Sequence, residues 1–281
     1  MPELPEVETI ARRLKKVLLK KTIASIAVLR SKSFIGDAKS VSGVQVDSVQ
    51  RRAKIIIISL SDGRSLLVHL KMTGQLMYIH EGQRIGGGHP TADFVATLPS
   101  KHTRIIIAFT DESTLFFNDM RVFGWIKVLD TEGLVREFAD LGPDIISKDV
   151  TVEYLVAKLQ SRSQSIKQVI MDNQVLAGVG NIYASDALHL AKINPSREGK
   201  SLSHEEVLDL VASLKRVINL GIEMGGASIQ NYRNVDGLVG HYQDVRRVYA
   251  REGEPCGECG SIIVRMKQGG RSTFYCSVCQ L

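Results

Sequence analysis

The residues Met1-Pro2-Glu3-Leu4-Pro5-Glu6-Val7-Glu8 lead directly into a helical pattern. Apolar residues recur at helical spacing as far as Leu18, so we expect a helix whose apolar face packs into a core. Pro5 suits the first turn of this helix, because its missing N–H group would have no partner there. The residues ahead of the helix are therefore predicted to be held in place.

The residues Pro2 and Glu3 carry candidate chemistry. Removal of Met1 would leave Pro2 with a free secondary amine, and α-amino groups titrate near pH ~7.7–8.0. Such an amine can form a Schiff base with a carbonyl carbon, and Glu3 beside it is a candidate proton donor or acceptor. The alternative is that Pro2 and Pro5 only stiffen the terminus while the glutamates cap the helix.

The composition is that of an ordinary globular protein. A length of 281 residues suggests about two domains, and the contents of 44% hydrophobic and 23% charged residues are typical of such chains. The formal net charge of +6 is compatible with a nucleic-acid partner without establishing one. We recognise no signal peptide and no apolar run of membrane-spanning length, so we expect a cytoplasmic protein with no membrane partner.

Short segments rich in β-branched or aromatic residues recur between residue 23 and about residue 130. The predicted strands are Ile23–Leu29, Val44–Val49, Lys54–Leu60, Ser65–Leu70, Gln75–Ile79, Phe94–Leu98, Arg104–Phe109, Thr114–Asn118 and Trp125–Leu129. This spacing favours a β-sandwich or a flattened barrel. The residues 82–90, which include three consecutive glycines, are predicted to form a flexible loop.

The pattern becomes helical after Leu141-Gly142-Pro143-Asp144. Helices are expected over Val152–Gln160, Ile166–Asn173 and Asn181–Leu190, and from a Ser203/Glu206 capping box to about Met224. The glycine-rich turn at residues 178–180, with Asn181 as a natural N-cap, could present N–H groups to an anion. An ordinary helix–helix turn explains the same residues equally well.

All four cysteines lie near the end of the sequence as two Cys-x-x-Cys pairs. The spacing of Cys256, Cys259, Cys276 and Cys279 is that of a structural zinc site, and we predict one Zn²⁺ per chain. Two redox disulfides are the alternative, which a cytosolic setting disfavours. Strands between the pairs would form a hairpin with Arg271 near its tip.

Three further features gain meaning only in combination. Arg121 and Phe123 stand two residues apart, and Met72 follows a strand; arginine with apolar wedges can fill a gap in a base stack. Lys54 precedes a buried strand, where it is either a functional amine or a chain whose charged end reaches solvent. Alone, each is more often a core or surface residue.

Taken together, these motifs resemble the formamidopyrimidine-DNA glycosylase family along the whole chain. They are Met-Pro-Glu-Leu-Pro-Glu-Val-Glu, Arg-Arg-Ala-Lys, His-Leu-x-Met-Thr-Gly, Asp-x-Arg-x-Phe-Gly, Gly-Val-Gly-Asn-Ile-Tyr-Ala and the four-cysteine finger. The resemblance implies an α+β fold. It comprises an N-terminal catalytic β-sandwich with an N-terminal helix (1–130), a linker (131–150), a helix–two-turn–helix DNA-binding domain (151–243) and a zinc-finger β-hairpin (244–281).

The resemblance also implies a function. Family members are bifunctional glycosylases and abasic-site lyases of base excision repair, which excise oxidised purines such as 8-oxoguanine and formamidopyrimidines. The implied mechanism is a Schiff base on Pro2 followed by β,δ-elimination, on a nucleotide extruded from the duplex. The implied partner is damaged double-stranded DNA, bound by a monomer that is associated with the nucleoid through that DNA.

The resemblance assigns roles to individual positions. Catalytic roles fall to Pro2, Glu3, Glu6, Lys54 and Arg271, and DNA contacts to Met72, His102, Arg121, Phe123, Lys167, Asn181 and Arg271. The sequence departs from the family pattern at Lys71, where many members have glycine, at Ser163, in the longer stretch 82–100, and at Ala227-Ser228. The last departure concerns the loop expected to read the damaged base, so it leaves lesion preference open.

Two other functions are compatible with the sequence. A sister glycosylase similar to endonuclease VIII would act on oxidised pyrimidines and would share the proline, the glutamate and the helical turn. The complete set of Met72, Arg121 and Phe123 favours the purine enzyme. A non-catalytic DNA-binding protein is the second alternative, and the joint presence of Pro2, Glu3 and Lys54 argues against it.

Overall fold

The computed structural model describes residues 2–89, 91, 93, 96–227 and 240–281, and the chain divides into two compact units. The first unit comprises Met1–Ala139 and Gly225–His241, and the second comprises Asp140–Met224 and Tyr242–Leu281. Among the described residues, we find no helix with the length and apolarity that a bilayer crossing requires.

Helix α1 spans Leu4–Leu18 and anchors the start of the first unit. Its apolar residues are buried, as their spacing predicted, and Lys15 and Lys16 lie in the last turn, where the helix dipole favours positive charge. Glu3 is the N-cap residue and forms a reciprocal capping box with Glu6. The terminus is therefore held by packing on one side and by hydrogen bonds on the other.

The remainder of the first unit is a sandwich of two five-stranded sheets. Its strands are β1 Ile23–Val28, β2 Phe34–Ile35, β3 Val46–Arg52, β4 Ile55–Leu60, β5 Ser65–His69, β6 Gly74–His80, β7 Gln83–Gly88, β8 Thr103–Phe109, β9 Thr114–Asp119 and β10 Trp125–Leu129. One sheet has the order β1-β8-β9-β6-β7 and the other β2-β10-β5-β4-β3. Apolar residues from both sheets and from α1 form one core, and α1 contacts the edge strands β3 and β7.

One expectation for this unit was wrong, and another segment holds a helix that the sequence did not predict. Within the predicted flexible loop, Gln83–Gly88 forms β7 and pairs with β6 along its length. A Cβ atom at Gly86 would lie 2.0 Å from the Leu76 carbonyl oxygen, so glycine permits the close pairing. Helix α2, Thr131–Phe138, occupies the start of the predicted linker and is capped by Asp130. The predicted strand at Phe94–Leu98 falls partly outside the described residues.

The second unit combines helices with a hairpin. Its helices are α3 Val152–Leu159, α4 Ile166–Ile170, α5 Asn181–Leu190 and α6 His204–Glu223, and its strands are β11 Ile263–Gln268 and β12 Arg271–Cys276. The capping box predicted at Ser203 and Glu206 is present at the start of α6. The fold class predicted from the sequence is confirmed.

Candidate active site and nucleic-acid interface

Pro2 and Glu3 are both buried at the start of α1, and Glu3 is only 3% exposed. The Glu6 carboxylate accepts hydrogen bonds from the backbone N–H groups of Glu3 at 2.6 Å and Ala227 at 2.7 Å. Gly226 has φ +88°, and a Cβ atom there would lie 2.7 Å from Cγ of Glu6. Glu6 therefore fixes the first residues against residues 226–227 of the same unit.

Lys54 lies in the tight turn between β3 and β4. Arg51 ties this turn to α1, because its Nε atom is 2.7 Å from Oε2 of Glu8 and its Nη1 atom donates to the Ala53 carbonyl oxygen at 2.9 Å. Burial opposes ionisation of Glu8, but hydrogen bonds from Arg51 and Arg12 hold its pKa below the usual value. Ala53, the residue before Lys54, has φ +53° and so adopts the left-handed backbone conformation in this turn.

His69, the last residue of β5, received no role from the sequence. Burial, followed by the positive charges of Lys71, Lys54 and Lys127, lowers the pKa of His69 to about 3. Its Nδ1 atom accepts a hydrogen bond from the Lys71 N–H group at 3.0 Å. A neutral imidazole therefore holds the turn that precedes Met72. Lys71 has φ +49°, a backbone conformation that glycine adopts without strain.

The buried carboxylate of Asp119 organises the loop between β9 and β10. It accepts from the N–H groups of Phe123 at 2.8 Å and Gly124 at 2.7 Å. The Arg121 N–H group is shared between Asp119 at 3.1 Å and the Thr73 hydroxyl at 3.0 Å. The sequence assigned no role to Asp119 itself, although an aspartate that accepts a hydrogen bond from the backbone two residues further on is a recognised turn signal.

These contacts bring the predicted base-stack residues into neighbouring loops. Met72 is 40% exposed and Phe123 is 52% exposed, so both apolar side chains are accessible to a partner. The Arg121 guanidinium lies 4.6 Å from the centre of the Phe123 ring. Val122 between them has φ +56°, a strained conformation for a β-branched residue. The arrangement presents one cation and exposed apolar groups from a rigid support.

His102 lies just before β8 and is held by Asp93. The Nδ1 atom of His102 is 2.9 Å from Oδ2 of Asp93, and the His102 carbonyl oxygen accepts from the Asp119 N–H group at 2.9 Å. Burial opposes ionisation of Asp93, but hydrogen bonds from Ser100, His102 and Thr91 lower its pKa. An ionised Asp93 therefore orients the imidazole predicted to contact DNA.

In the second unit, Lys167, Asn181 and Arg271 line one cleft. Arg271 is exposed at the start of β12, whereas Lys167 is 2% exposed and donates to the Thr273 hydroxyl at 2.9 Å. The Asn181 amide donates to the Ser272 carbonyl oxygen at 3.0 Å. Gly180, not Asn181, is the N-cap of α5. The asparagine thus connects the helix to the hairpin instead of capping the helix.

The four cysteines converge at the base of the hairpin. All four Sγ atoms lie within 4.8 Å of one another. The closest pairs are Cys259–Cys276 at 3.5 Å and Cys256–Cys279 at 3.9 Å, whereas a disulfide requires about 2.05 Å. The cysteines are free thiols, so the redox-disulfide alternative is not realised.

The chain combines a β-sandwich that carries cationic and apolar loops with a helical unit that carries a four-cysteine hairpin. Three families match this sequence. They are the formamidopyrimidine-DNA glycosylase N-terminal domain (residues 1–126), its H2TH domain (residues 141–233) and the zinc finger found in FPG and IleRS (residues 253–281). The chain belongs to the formamidopyrimidine-DNA glycosylase family.

Individual relatives agree with this assignment over the full length. A formamidopyrimidine-DNA glycosylase of Rickettsia bellii is 36% identical, covering 100% of this chain and 99% of its own. One from Pelotomaculum thermopropionicum is 37% identical with the same coverage. A Lactococcus lactis FPG mutant in complex with Fapy-dG DNA superposes with a TM-score of 0.89 at 29% identity, covering 99% of both chains. Members of this family are enzymes. They are DNA glycosylases, and abasic-site lyase activity is common to the family.

Proposed function

We propose that this chain excises oxidised purines from duplex DNA and then cleaves the abasic site by β,δ-elimination. The observation that carries the proposal is the burial of Pro2 and Glu3 at the start of an anchored helix. A positioned amine and a positioned acid are what a Schiff-base glycosylase needs. We expect the active species to be a monomer that acts in the cytoplasm on nucleoid DNA.

The chemistry begins with attack of the Pro2 amine on the anomeric carbon of the damaged nucleotide. The new N–C bond forms as the glycosidic bond breaks; the electron pair leaves with the base, which takes up the proton that the Pro2 nitrogen loses. Glu3 protonates the deoxyribose ring oxygen as that ring opens, which leaves an iminium. Loss of a proton from the adjacent carbon then expels the 3′ phosphate, and a second elimination expels the 5′ phosphate. Hydrolysis returns Pro2.

Other residues position the DNA. Lys54 and Arg271 place positive charge on the phosphates that leave, and Glu6 supports the start of α1. Met72, Arg121 and Phe123 occupy the space vacated by the extruded nucleotide. The DNA backbone is contacted by His102, Lys167, Asn181 and Arg271. The buried Lys167 has an additional role, because its hydrogen bond to Thr273 supports the hairpin.

One structural Zn²⁺ per chain would bind the four cysteines. With Zn–S bonds of about 2.3 Å, tetrahedral sulfurs lie about 3.8 Å apart, close to the 3.5 and 3.9 Å separations found here. Thiolate sulfur is also the ligand type that structural zinc prefers. The zinc would stabilise the hairpin that carries Arg271 and would take no part in the reaction.

The damaged base is the finer part of the proposal. Lactococcus lactis FPG has been crystallised with Fapy-dG DNA, with abasic-site DNA and with an oxidised-pyrimidine DNA. An oxidised pyrimidine is therefore the second candidate substrate. Single-turnover excision of both lesions from otherwise identical duplexes separates the two, and faster release of the pyrimidine would contradict our assignment.

The decisive experiment traps the covalent intermediate. Borohydride reduction of the enzyme with damaged duplex should yield a cross-link that peptide mapping places on Pro2. A variant with one glycine inserted ahead of Pro2 should bind the same DNA without cross-linking or base release. A cross-link on Lys54, or full activity in protein shown by mass spectrometry to retain Met1, would contradict the proposed nucleophile.

A further inference from the structure

A buried histidine outside the cysteine cluster contacts one of its members. His189, in the last turn of α5, is 3% exposed, and its Nε2 atom lies 3.3 Å from Sγ of Cys256. Among the described residues, the only group with metal-ligand spacing consists of the four cysteines. His189 therefore contacts the sulfur of Cys256 from outside the cluster and is not a fifth ligand.

We propose that His189 donates an Nε2–H hydrogen bond to the Cys256 thiolate and thereby strengthens zinc binding. The inference rests on the structural zinc site proposed above. A metal-bound thiolate carries no proton, so the imidazole must be the donor in this contact. Groups of this kind orient metal ligands and stabilise their charge.

The surroundings of the imidazole favour this tautomer. The Nδ1 atom of His189 is buried and has no hydrogen-bond partner among the described residues. A proton on Nδ1 would therefore be a buried donor without an acceptor, and Nε2 would face the thiolate with its lone pair. A proton on Nε2 is paired with the thiolate and leaves only the Nδ1 lone pair without a partner. A proton on Nδ1 would leave a buried donor unpaired, at a cost of about 1–3 kcal/mol, and would also turn a lone pair towards the negative sulfur.

The same helix holds the preceding segment of the chain. Asp186, one turn before His189, accepts hydrogen bonds from the N–H groups of Arg247, Val248 and Tyr249 at 3.0, 2.9 and 3.1 Å. These residues lead to Cys256, so α5 contacts both the approach to the cluster and one of its sulfurs. Zinc retention should consequently depend on a residue outside the finger.

The test compares zinc transfer from full-length proteins to an excess of a chromogenic chelator. His189→Phe removes the donor, whereas His189→Gln retains an N–H group of similar reach. The exposed His204 supplies a control variant, His204→Gln. We expect His189→Phe to release zinc about 10- to 100-fold faster than the unaltered protein, and His189→Gln to remain near the unaltered rate. If His189→Phe does not fold, His189→Met takes its place.

Cobalt substitution supplies a readout that packing alone would not move. Loss of a hydrogen bond to the thiolate raises its donor orbital, so the sulfur-to-cobalt charge-transfer band of His189→Phe should shift to lower energy. Equal release rates in all variants, or equal acceleration by phenylalanine and glutamine, would overturn the role of His189. Unaltered protein without zinc by atomic absorption would instead overturn the zinc site itself.

Discussion

At the scale of single residues, Glu3 occupies a position with two possible roles. Its side chain belongs to the capping box of α1 and also lies beside the predicted nucleophile. The two roles make different demands, because a cap needs only an acceptor oxygen, whereas proton transfer needs an ionisable group.

Replacement of Glu3 by glutamine separates these roles. Glutamine keeps the acceptor oxygen, so we expect unchanged thermal stability and unchanged binding of damaged DNA. Base release in single-turnover assays should fall by about 10²–10⁴-fold, the usual contribution of general acid–base catalysis. A Glu3→Gln enzyme with near-normal excision would reduce Glu3 to a helix cap.

A second prediction concerns His69 and pH. Its pKa is about 3 in the folded protein against 6.5 as the reference, so the unfolded chain binds the proton more readily. Above pH 6.5 the imidazole is neutral in both states and does not reduce the unfolding free energy. As pH falls from 6.5 towards 3, the unfolding free energy decreases by up to about 1.4 kcal/mol per pH unit. In His69→Asn, which keeps an acceptor for the Lys71 N–H group, urea unfolding should depend less steeply on pH in this window.

The exposed His204 provides the control for that measurement. His204→Asn should leave the dependence of unfolding free energy on pH close to that of the unaltered protein. Parallel curves for the unaltered protein and His69→Asn would show that protonation of His69 does not contribute to the pH dependence of the unfolding free energy.

At the scale of elements, the loop between β9 and β10 depends on one carboxylate. Asp119→Asn removes the charge and replaces one acceptor oxygen with a donor that faces existing N–H groups. Hydrogen bonds to charged groups contribute about 1.5–3 kcal/mol each, so we expect at least that loss in unfolding free energy, together with weaker DNA binding. Asp47→Asn at an exposed strand position is the matched control, and equal stability of the two variants would contradict the role of Asp119.

The elements also show how far the sequence could predict the structure. Helix α1 and the strands with β-branched residues follow from side-chain spacing, because their buried faces need apolar groups. Strand β7 does not, because Gly86, Gly87 and Gly88 carry no side chains and pair through their backbones. Helix α2 was missed although Leu134 and Phe138 lie one turn apart in it and Asp130 caps it; the segment is short, and Gly133 is its only buried residue.

The same distinction applies to the site. The cysteine spacing alone predicted a cluster that the folded chain forms. The supporting residues His69, Asp93 and Asp119 act through contacts with residues distant in sequence or through tight turns, and no periodicity marks such contacts. The catalytic and DNA-binding roles assigned to the site residues stay predictions.

At the scale of the whole molecule, substitution of Arg271 tests whether the hairpin takes part in binding DNA. Arg271→Ala should retain zinc, bind duplex more weakly and show a salt slope smaller by about 0.9, the change expected for one phosphate contact. Fluorescence anisotropy over a range of salt concentrations measures both quantities. The exposed Arg265 of the same hairpin, which lies near Glu252, is the matched control. Identical slopes for both variants would show that the tip of the hairpin does not reach the backbone.

Three turns of the first unit share an uncommon feature. Ala53, Lys71 and Val122 all have positive φ, and they adjoin Lys54, Met72, Arg121 and Phe123. Non-glycine residues in this conformation allow fewer alternative turn shapes than glycine would. We therefore expect these turns to be ordered before DNA is bound, so that association with DNA would carry little of the unfavourable entropy of loop ordering. Its heat-capacity change would then mainly report the apolar surface that Met72 and Phe123 remove from water.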